Sequence, residues 1–572
     1  MPELTDADRI ARAEAWIAQD PDPETREELA AIVARVREGD AAASADLASR
    51  FDARLAFGTA GLRGEIAAGP NRMNRVLVSQ GAAGLAAHLL ERATDAAAAS
   101  VVVGYDGRRN SEAFARDVAE VMAGAGVRAI LLPRLLPTPV LAFAVRHLDT
   151  SAGVMITASH NPPNDNGMKV YLGGADHGSQ IVAPADAEIA AQIDRVAAST
   201  TVHELPRGEF ETADESVVDA YVAATAAVAA TPAAQPRVVY TAMHGVGWET
   251  MRRVLETAGF DAPTLVTEQI EPDGRFPTVS FPNPEEPGAM DLSFAAARAA
   301  RADLVVANDP DADRLAVAIP DPDASEEYRR LTGNEVGLLL GWQVAERVAA
   351  EVERRDPTDA AGARGTLACS IVSSPGLEAV ARAHGLDFRA TLTGFKWISR
   401  APELRFGFEE ALGYLVNPET VRDKDGISAA VAFLSLAARL AAEGRTIADH
   451  LDEFAMRFGC FDSTQVSIRV TELARIAEVM ARLRAEPPVE VGGIRVERID
   501  DLADGVDGYP PSDVLRLVLE GGARVMVRPS GTEPKLKVYI DAAAVEGTLA
   551  ERRAAASDTV KRLETGMRAL VA

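Results

Sequence analysis

The sequence predicts a multidomain α/β protein, in which three α/β domains of related plan are followed by a C-terminal α+β domain. Three segments share the order apolar strand, polar turn, amphipathic helix, glycine and second apolar strand, namely residues 100–132, 237–266 and 366–391. From Phe461 onward the pattern changes to mixed strands and two long helices. The chain has 572 residues, which is too long for one compact core, so several domains are expected.

We expect five segments, whose limits follow these repeats and the breaks between them. The first segment has apolar residues at helical spacing from Thr5 to Gln19 and from Glu24 to Glu38, and we interpret it as a packing extension. An Ala-rich helix from Asp214 to Ala230 marks the first boundary between α/β domains. The predicted segments are a helical extension over 1–47, α/β domains over 48–215, 216–325 and 326–458, and an α+β domain over 459–572.

Composition excludes several classes of function. The net charge of −26 argues against general nucleic-acid binding, which requires a basic surface. The N-terminus is acidic and lacks an apolar core, and the longest apolar stretch, residues 427–442, contains Arg439 and is short for a membrane span. The two cysteines, Cys369 and Cys460, lie far apart and predict no disulfide framework. We therefore expect a cytoplasmic protein that binds neither nucleic acid nor a membrane.

The stretch TASHNP, residues 157–162, is the most informative part of the sequence. An apolar strand precedes it, turn-forming residues follow as far as Gly167, and a second short strand begins at Lys169. Ser159 is therefore expected on a tight loop at the C-terminal end of a strand, where α/β folds usually place chemistry. With His160 beside it and Lys169 downstream, its hydroxyl is suited to act as a nucleophile or to carry a transferable group. The alternative is a polar turn without chemistry.

A glycine-rich stretch, LAFGTAGLRG, places Arg63 in a loop among three glycines. Glycines let the backbone approach closely and present the guanidinium to a ligand. The alternative is a turn with a solvated arginine.

An acidic loop follows the apolar strand that ends at Asn308. It carries Asp309, Asp311 and Asp313 at every second position, and another strand begins at Leu315. Three hard oxygen ligands on one loop suit Mg²⁺. A calcium-binding EF-hand is excluded, because Arg314 stands where that loop needs glycine and Pro320 stands where it needs the closing glutamate. An acidic surface turn is the remaining alternative, and residues 321–327 are interpreted as such a turn.

Two further loops carry candidate ligand-binding residues. The segment FEEALGY carries Glu409 and Glu410, whose carboxylates can accept hydrogen bonds from a ligand. In the segment RPSGTEPK, Arg528 can grip a phosphate with two parallel hydrogen bonds, while the residues after it add hydroxyl and backbone donors. The candidates in this second loop are Arg528, Ser530, Gly531, Thr532 and Lys535.

Taken together, these motifs resemble those of the α-D-phosphohexomutases, a family that includes phosphoglucomutases and phosphomannomutases. The resemblance covers about residue 50 to the C-terminus, with four motif regions in the family's order. It implies that Ser159 is phosphorylated, that Arg63 reaches the reacting phosphate, and that a phosphoserine oxygen completes the Mg²⁺ shell of the aspartates. It assigns His160 and Lys169 to the catalytic group, with Lys169 as a proton acceptor that requires a depressed pKa. The expected substrate-binding set is Arg314, Lys396, Glu409, Glu410, Lys424, Arg528, Ser530, Gly531, Thr532 and Lys535.

One position departs from the family's sugar-binding loop, Gly-Glu-x-Ser, because Ala411 stands in place of the serine. This departure resembles the branch that contains larger bacterial phosphoglucomutases and phosphopentomutase-type enzymes. Glu409 is the expected reader of sugar hydroxyls, and Glu410 is the alternative. By resemblance, four domains surround a central cleft, and the protein is a monomer or a homodimer that acts on sugar phosphates.

The function implied by the resemblance is a Mg²⁺-dependent mutase that interconverts hexose 1-phosphate and hexose 6-phosphate. Glucose phosphate is the first choice of substrate, with glucose 1,6-bisphosphate as intermediate and activator. A phosphomannomutase, a phosphopentomutase and a glucose 1,6-bisphosphate synthase remain alternatives within the same chemistry. A metal-dependent phosphatase that uses the same serine, and a binding protein with vestigial motifs, are alternatives outside it.

Overall fold

The computed structural model describes residues 4–93, 99–354, 365–469, 473–506, 508–529 and 535–571. The chain divides into two compact units. The first unit comprises Met1–Arg330 and Gly413–Ala438, and the second comprises Leu331–Leu412 and Arg439–Ala572.

Three helices open the first unit, α1 (Asp6–Gln19), α2 (Pro23–Arg37) and α3 (Ala41–Phe51). The third was not predicted, and the expected end of the extension at residue 47 lies inside it. Asp40 caps α3, since its carboxylate accepts hydrogen bonds from the backbone N–H groups of Ala42 at 2.9 Å and Ala43 at 3.2 Å. Trp16 and Leu47 are buried in the same hydrophobic core as the first α/β domain, as expected of a packing extension.

The first α/β domain is built on one mixed sheet. Its elements are β1 (Leu62–Glu65), α4 (Arg75–Arg92), β2 (Ser100–Tyr105), α5 (Ser111–Gly124), β3 (Arg128–Leu131), α6 (Thr138–His147), β4 (Ala152–Ile156), β5 (Asp165–Leu172), β6 (Ser179–Gln180), α7 (Ala185–Ser199) and β7 (Glu211–Thr212). The strand order is β1-β5-β4-β2-β3-β7, with β6 paired to β5. Strands β4, β2, β3 and β7 are parallel to one another, whereas β5 is antiparallel to both β4 and β1. Strand β5 begins before the expected Lys169, because residues 165–167 pair with β1.

The second α/β domain repeats this plan. Its elements are α8 (Ser216–Ala226), β8 (Val238–Thr241), α9 (Gly247–Ala258), β9 (Thr264–Leu265), α10 (Asp291–Ala300), β10 (Leu304–Asn308), β11 (Leu315–Pro320) and β12 (Tyr328–Arg330). The strand order is β12-β11-β10-β8-β9, with a parallel core of β10, β8 and β9 and antiparallel β11 and β12. The acidic residues 321–327 form the turn between β11 and β12, as predicted.

The third α/β segment begins with a long helix. Its elements are α11 (Gly333–Glu353), β13 (Thr366–Ser370), α12 (Gly376–Ala383), β14 (Asp387–Thr391), α13 (Phe395–Ile398), β15 (Leu404–Glu409), β16 (Gly413–Leu415), α14 (Gly426–Ala442) and α15 (Ile447–Arg457). Strand β13 is parallel to both β14 and β15. The apolar helix α14 is buried as expected, with Ile427, Phe433 and Leu436 fully covered.

The candidate residues of the three α/β domains follow equivalent strands. Ser159 lies between β4 and β5, the aspartates lie between β10 and β11, and Glu410 directly follows β15. Each of the three loops contains one non-glycine residue in the left-handed region: Ser159 with φ 52°, Ala312 with φ 55° and Leu412 with φ 62°. This correspondence confirms that the three domains share one plan.

The C-terminal domain is an antiparallel sheet with two helices. Its elements are β17 (Cys460–Arg469), α16 (Leu473–Ala485), β18 (Glu490–Val491), β19 (Ile494–Asp501), β20 (Leu515–Leu519), β21 (Arg524–Pro529), β22 (Lys535–Ala544) and α17 (Leu549–Val571). The strand order is β17-β22-β21-β20-β19-β18. Leu563 and Met567 of α17 are buried against the sheet in one core. The α+β character of this domain agrees with the prediction.

Across the described ranges, no single helix has the length and apolar character needed to cross a membrane. One pair passes that test jointly, α14 and α15, but it is bent by 95°.

Candidate active site

Ser159 lies at the end of β4, where its buried side chain meets the acidic loop. Its hydroxyl donates a hydrogen bond to Oδ2 of Asp309, with 2.8 Å between the oxygen atoms. The same hydroxyl is 3.2 Å from Nδ1 of His160. The backbone N–H of Ser159 donates to the hydroxyl of Thr157 at 2.8 Å. The structure therefore brings together two motifs that are 150 residues apart in the sequence.

The three aspartates of the acidic loop converge on one point. Asp309, Asp311 and Asp313 are each fully buried, and one carboxylate oxygen from each lies within 4.8 Å of the other two. Two of their oxygen atoms, Oδ1 of Asp311 and Oδ1 of Asp313, accept no hydrogen bond from the part of the chain that the structure describes. Buried carboxylate oxygens without donors are costly unless a cation meets them. The donor set therefore fits a divalent metal ion that prefers oxygen ligands.

Two lysines neutralise part of this charge. Nζ of Lys169 lies 2.7 Å from Oδ2 of Asp311 and 2.8 Å from Oδ2 of Asp313, and Nζ of Lys424 lies 3.1 Å from the latter atom. Burial opposes the charge of Lys169, but the two carboxylates outweigh it and raise the pKa of Lys169 above its usual range. The two aspartates therefore favour the charged form of the Lys169 side chain.

Asp309 and His160, which contact the hydroxyl of Ser159, have pKa values that are shifted in opposite directions. Burial beside Asp311 and Asp313 raises the pKa of Asp309 well above its usual range. Burial, together with the guanidinium groups of Arg314 and Arg63, holds the pKa of His160 well below its usual range. The imidazole of His160 is therefore neutral at neutral pH and adds no charge beside Ser159.

Arg63 and Arg314 both contribute positive charge near these loops. Nη1 of Arg63 donates to Oδ1 of Asn161 at 3.1 Å, so this arginine contacts the loop that carries Ser159. The backbone N–H of Arg314 donates to Oδ1 of Asp309 at 3.0 Å, and its Nε lies 3.8 Å from Oδ1 of Asp313. The first unit therefore assembles every candidate residue that it contains: Arg63, Ser159, His160, Lys169, Asp309, Asp311, Asp313, Arg314 and Lys424.

In the second unit, the structure distinguishes the two candidate glutamates. Oε2 of Glu410 accepts hydrogen bonds from the hydroxyls of Ser370 at 3.1 Å and Ser373 at 3.0 Å. The backbone N–H of Glu410 donates to the hydroxyl of Ser373 at 3.0 Å. Glu410 is thus held inside its own domain. Glu409 ends β15, and both glutamates are partly buried. Lys396 lies on the short helix α13.

The phosphate-loop candidates are described only at the two ends of their loop. Arg528 lies in β21 and its guanidinium donates to the hydroxyl of Thr393, and Lys535 begins β22. Ser530, Gly531 and Thr532 lie outside the described residues.

Two residues that support the site were not among the predicted ones. The hydroxyl of Thr138 donates to Oδ2 of Asp311 at 2.6 Å. The guanidinium of Arg108 donates to the backbone carbonyl of Ser159 at 2.6 Å. Arg108 lies in the turn after β2 and Thr138 begins α6, and nothing in the sequence pattern around either of them indicates a ligand. Only the strand order of the sheet, with β2 beside β4, points to Arg108 as a neighbour of the Ser159 loop.

Comparison with protein families gives four matches in order along the chain. Residues 54–200, 219–322 and 333–458 match alpha/beta/alpha domains I, II and III of phosphoglucomutase/phosphomannomutase, and residues 466–558 match its C-terminal domain.

Relatives and solved structures agree with these matches. A "Probable phosphomannomutase" of Haemophilus influenzae is 53% identical over 471 residues, which are 82% of this chain and 93% of the relative. The "Phosphopentomutase" of Mus musculus is 34% identical over an alignment of length 581, gaps included, that covers 93% of this chain and 90% of the relative. The crystal structure of a phosphoglucomutase/phosphomannomutase family protein from Burkholderia thailandensis, 19% identical, shares the fold with a TM-score of 0.68, covering 91% of this chain and 98% of that one. The chain therefore belongs to the phosphoglucomutase/phosphomannomutase family and is an isomerase of the phosphomutase type.

Proposed function

We propose that this enzyme interconverts α-D-glucose 1-phosphate and glucose 6-phosphate through a phosphorylated Ser159 and a glucose 1,6-bisphosphate intermediate. The observation that supports this proposal most directly is the 2.8 Å contact between the hydroxyl of Ser159 and Asp309 of the buried aspartate cluster. A serine that carries a phosphoryl group at this position has its charge beside the residues best suited to hold a metal ion.

The metal in this proposal is Mg²⁺, held by Asp309, Asp311 and Asp313. When bound, Mg²⁺ supplies positive charge that stabilises the phosphoryl group in transfer. Lys169 and Arg63 add fixed positive charge from the protein. The ammonium of Lys169, 2.7 Å from Asp311 and 2.8 Å from Asp313, can stabilise the charge of the phosphoryl group in transfer.

The transfer step balances without an outside donor. A free hydroxyl of the sugar monophosphate attacks the phosphorus on Ser159, the bond between Oγ and phosphorus breaks, and a new oxygen–phosphorus bond forms on the sugar. The proton of the sugar hydroxyl is transferred to Oγ of Ser159. The bisphosphate then presents its other phosphate, which returns to Ser159 by the reverse step and leaves the isomeric monophosphate.

In this proposal, Glu409, Arg528 and Lys535 bind the sugar and its non-reacting phosphate. Glu409 is the residue that binds sugar hydroxyls in this proposal, and Glu410, whose Oε2 accepts hydrogen bonds from two serine hydroxyls, is the alternative. Arg528 and Lys535, at the two ends of the RPSGTEPK loop, hold the phosphate that is not in transfer.

A second candidate substrate is mannose phosphate, which is favoured by the name of the Haemophilus influenzae relative at 53% identity. Pentose phosphate is favoured by the name of the mouse relative, which covers more of the chain at lower identity. The chemistry at Ser159 is the same for all three sugars.

The test is ³¹P NMR of the purified protein with Mg²⁺, a trace of glucose 1,6-bisphosphate, and glucose 1-phosphate. Mannose 1-phosphate, with a trace of mannose 1,6-bisphosphate, and ribose 1-phosphate run in parallel. The proposal is supported if glucose 1-phosphate is converted to glucose 6-phosphate faster than the other two sugar phosphates are isomerised. If another sugar phosphate reacts faster, that sugar is the preferred substrate instead of glucose. Release of inorganic phosphate alone points to a phosphatase, and net formation of bisphosphate points to a synthase.

A pair of serine variants tests the phosphoserine. Ser159→Ala is expected to abolish turnover, whereas Ser199→Ala, at the exposed end of α7, is expected to leave it unchanged. Full turnover by Ser159→Ala would contradict the proposal.

A further inference from the structure

We infer that Arg108 is a positioning residue for phosphoryl transfer, which it serves by fixing the main chain that carries Ser159. The inference rests on the proposed function, because it assigns a role in the reaction of Ser159. Arg108 lies in the turn between β2 and α5, and β2 is the parallel neighbour of β4 in the sheet.

The guanidinium of Arg108 binds four backbone carbonyls of one loop. Nη2 donates to the carbonyls of Ser159 and Asn161, each at 2.6 Å. Nη1 donates to the carbonyls of Pro162 at 2.8 Å and Asp165 at 3.1 Å. Arginine presents several donors in one rigid plane, so a single side chain can fix the whole turn. Lysine has three donors on one nitrogen and cannot reproduce this arrangement.

The loop needs such support because Ser159 has a left-handed backbone. Its φ is 52°, a conformation that non-glycine residues adopt only when their surroundings hold them there. Arg108 holds the carbonyl of Ser159, and the hydroxyl of Thr157 accepts the hydrogen bond of its N–H. Both the carbonyl and the N–H of the reacting serine are therefore held by neighbouring side chains.

The second α/β domain covers this arginine. The ring of Phe276 lies 4.9 Å from Cζ of Arg108, and both residues are almost completely buried. At Gly107 an added Cβ would lie 3.0 Å from Cβ of Pro272, so the two segments are in close contact. Phe276 belongs to the long connection between β9 and α10, in the domain that carries the aspartates. Arg108 thus couples the loop of Ser159 to the domain of the candidate metal site.

Arg108 is therefore distinct from Arg63 and Arg314, the arginines expected to meet phosphate. Its guanidinium is occupied by four carbonyls and covered by an aromatic ring, so it acts through Ser159 and not on the substrate. A loss of this support misplaces the serine oxygen while leaving the substrate-binding loops unchanged. The predicted consequence is a fall in kcat at nearly constant KM.

The test compares Arg108→Lys and Arg108→Met with Arg109→Lys and Arg109→Met. Arg109 is the neighbouring, more exposed arginine, and its side chain forms an ion pair with Glu24. We expect kcat for glucose 1-phosphate to fall about 100-fold in Arg108→Met and about 10-fold in Arg108→Lys, with KM changed less than about threefold, because small displacements of reacting atoms are costly. We expect the Arg109 variants to retain wild-type values.

Three further measurements on the same proteins distinguish a positioning role in the reaction from a purely structural role. Thermal unfolding gives the folded fraction, and mass spectrometry after incubation with glucose 1,6-bisphosphate gives the phosphorylated fraction of Ser159 and its rate of loss to water. We expect folded Arg108 variants with slow phosphorylation. Losses of kcat that only follow the folded fraction, or variants with wild-type kcat, overturn the inference.

If Arg108→Met does not fold, Phe276→Leu tests the same inference. This variant retains the guanidinium and removes its aromatic cover, and we expect a smaller fall in kcat of about threefold at constant KM. Wild-type kcat in both Phe276→Leu and Arg108→Lys overturns the inference. Ser159→Ala distinguishes a failure of the proposed function from a failure of the inference about Arg108. Turnover by Ser159→Ala refutes the proposed function. An inactive Ser159→Ala variant together with fully active Arg108 variants refutes only the role of Arg108.

Discussion

The hydroxyl of Thr138 donates a hydrogen bond to Oδ2 of Asp311, with 2.6 Å between the oxygen atoms. The backbone N–H of Thr138 also donates to the carbonyl of Asp311 at 2.9 Å. Thr138 begins α6 of the first α/β domain, and Asp311 belongs to the acidic loop of the second. A neutral residue outside every recognised motif therefore orients one of the three carboxylates of the candidate metal site.

Thr138→Val is the first variant that this contact suggests. It replaces the hydroxyl by a methyl group of similar size and leaves Asp311 Oδ2 with Lys169 as its hydrogen-bond donor. We expect the free energy of unfolding to fall by about 1–3 kcal/mol, because a buried acceptor loses a donor. We also expect Mg²⁺ affinity to fall by about 10-fold or more, as found for residues that orient metal ligands. Urea unfolding and Mg²⁺ titration by calorimetry measure the two effects.

Thr150→Val is the matched control. Thr150 is also a buried threonine, and its hydroxyl donates to the carbonyl of Ala152 at 3.0 Å, away from the acidic loop. We expect a comparable loss of stability with unchanged Mg²⁺ affinity. Equal Mg²⁺ affinities in wild type and both variants would mean that Thr138 does not orient a metal ligand.

Asp313→Asn tests the metal site itself. Its carboxylate lies between Lys169 and Lys424, and one of its oxygens accepts no hydrogen bond from any described residue. A ligand that binds only the folded state raises its stability by mass action, so wild-type protein should melt at a higher temperature as Mg²⁺ is added. We expect this Mg²⁺-dependent rise in Tm to disappear in Asp313→Asn.

Asp323→Asn is the control for that experiment. Asp323 lies exposed in the turn between β11 and β12, on the same chain segment but outside the carboxylate cluster. The control is expected to keep the full rise in Tm. The metal assignment fails if Asp313→Asn responds to Mg²⁺ as strongly as this control.

The parts of the site that the sequence predicts are those with strong local signals. Ser159 and the aspartates each follow an apolar strand and precede another, and such fully buried strands are recognisable because their hydrophobic runs are continuous. The turn residues between them then place the polar side chains at the ends of strands. The related plan of the three α/β domains follows from the same local signals, repeated three times.

The parts that the sequence does not predict depend on contacts between distant segments. Arg108 is a single polar residue in a turn and Thr138 is the first residue of a helix, and their importance comes from the loops that pack beside them. The raised pKa of Lys169 likewise depends on Asp311 and Asp313, more than 140 residues away. Helix α3 was missed because its apolar positions are mostly alanine, which gives a weak pattern.

Asp425 gives a prediction about pH. The hydroxyl of Tyr221 donates to both of its carboxylate oxygens, at 2.9 and 3.0 Å, and burial raises the pKa of Asp425 to about 6. An acid whose pKa is raised by folding stabilises the folded state while protonated and loses that stability as pH rises through the folded-state pKa. From the ordinary 3.8 to about 6, the loss amounts to about 3 kcal/mol between pH 4 and pH 6.

Asp425→Asn should therefore gain stability relative to wild type as pH rises from about 4 to about 6. Urea unfolding midpoints of the two proteins at several pH values measure the difference. Tyr221→Phe removes a donor that lowers the pKa of Asp425, so its loss of stability should extend to higher pH than in wild type. A difference between Asp425→Asn and wild type that stays constant from pH 4 to pH 7 would contradict the prediction.

Glu409 and Glu410 are adjacent in sequence but are expected to respond differently to the same substitution. The carboxylate of Glu410 accepts hydrogen bonds from Ser370 and Ser373, so Glu410→Gln should lower the free energy of unfolding by about 1–3 kcal/mol and change KM little. Glu409→Gln should raise KM for glucose 1-phosphate about 10-fold or more, because a charged acceptor of sugar hydroxyls is lost. Steady-state kinetics and urea unfolding of the two variants measure these effects. If Glu410→Gln raises KM and Glu409→Gln does not, Glu410 is the residue that binds the sugar hydroxyls. Ser370 and Ser373 then orient its carboxylate for the substrate.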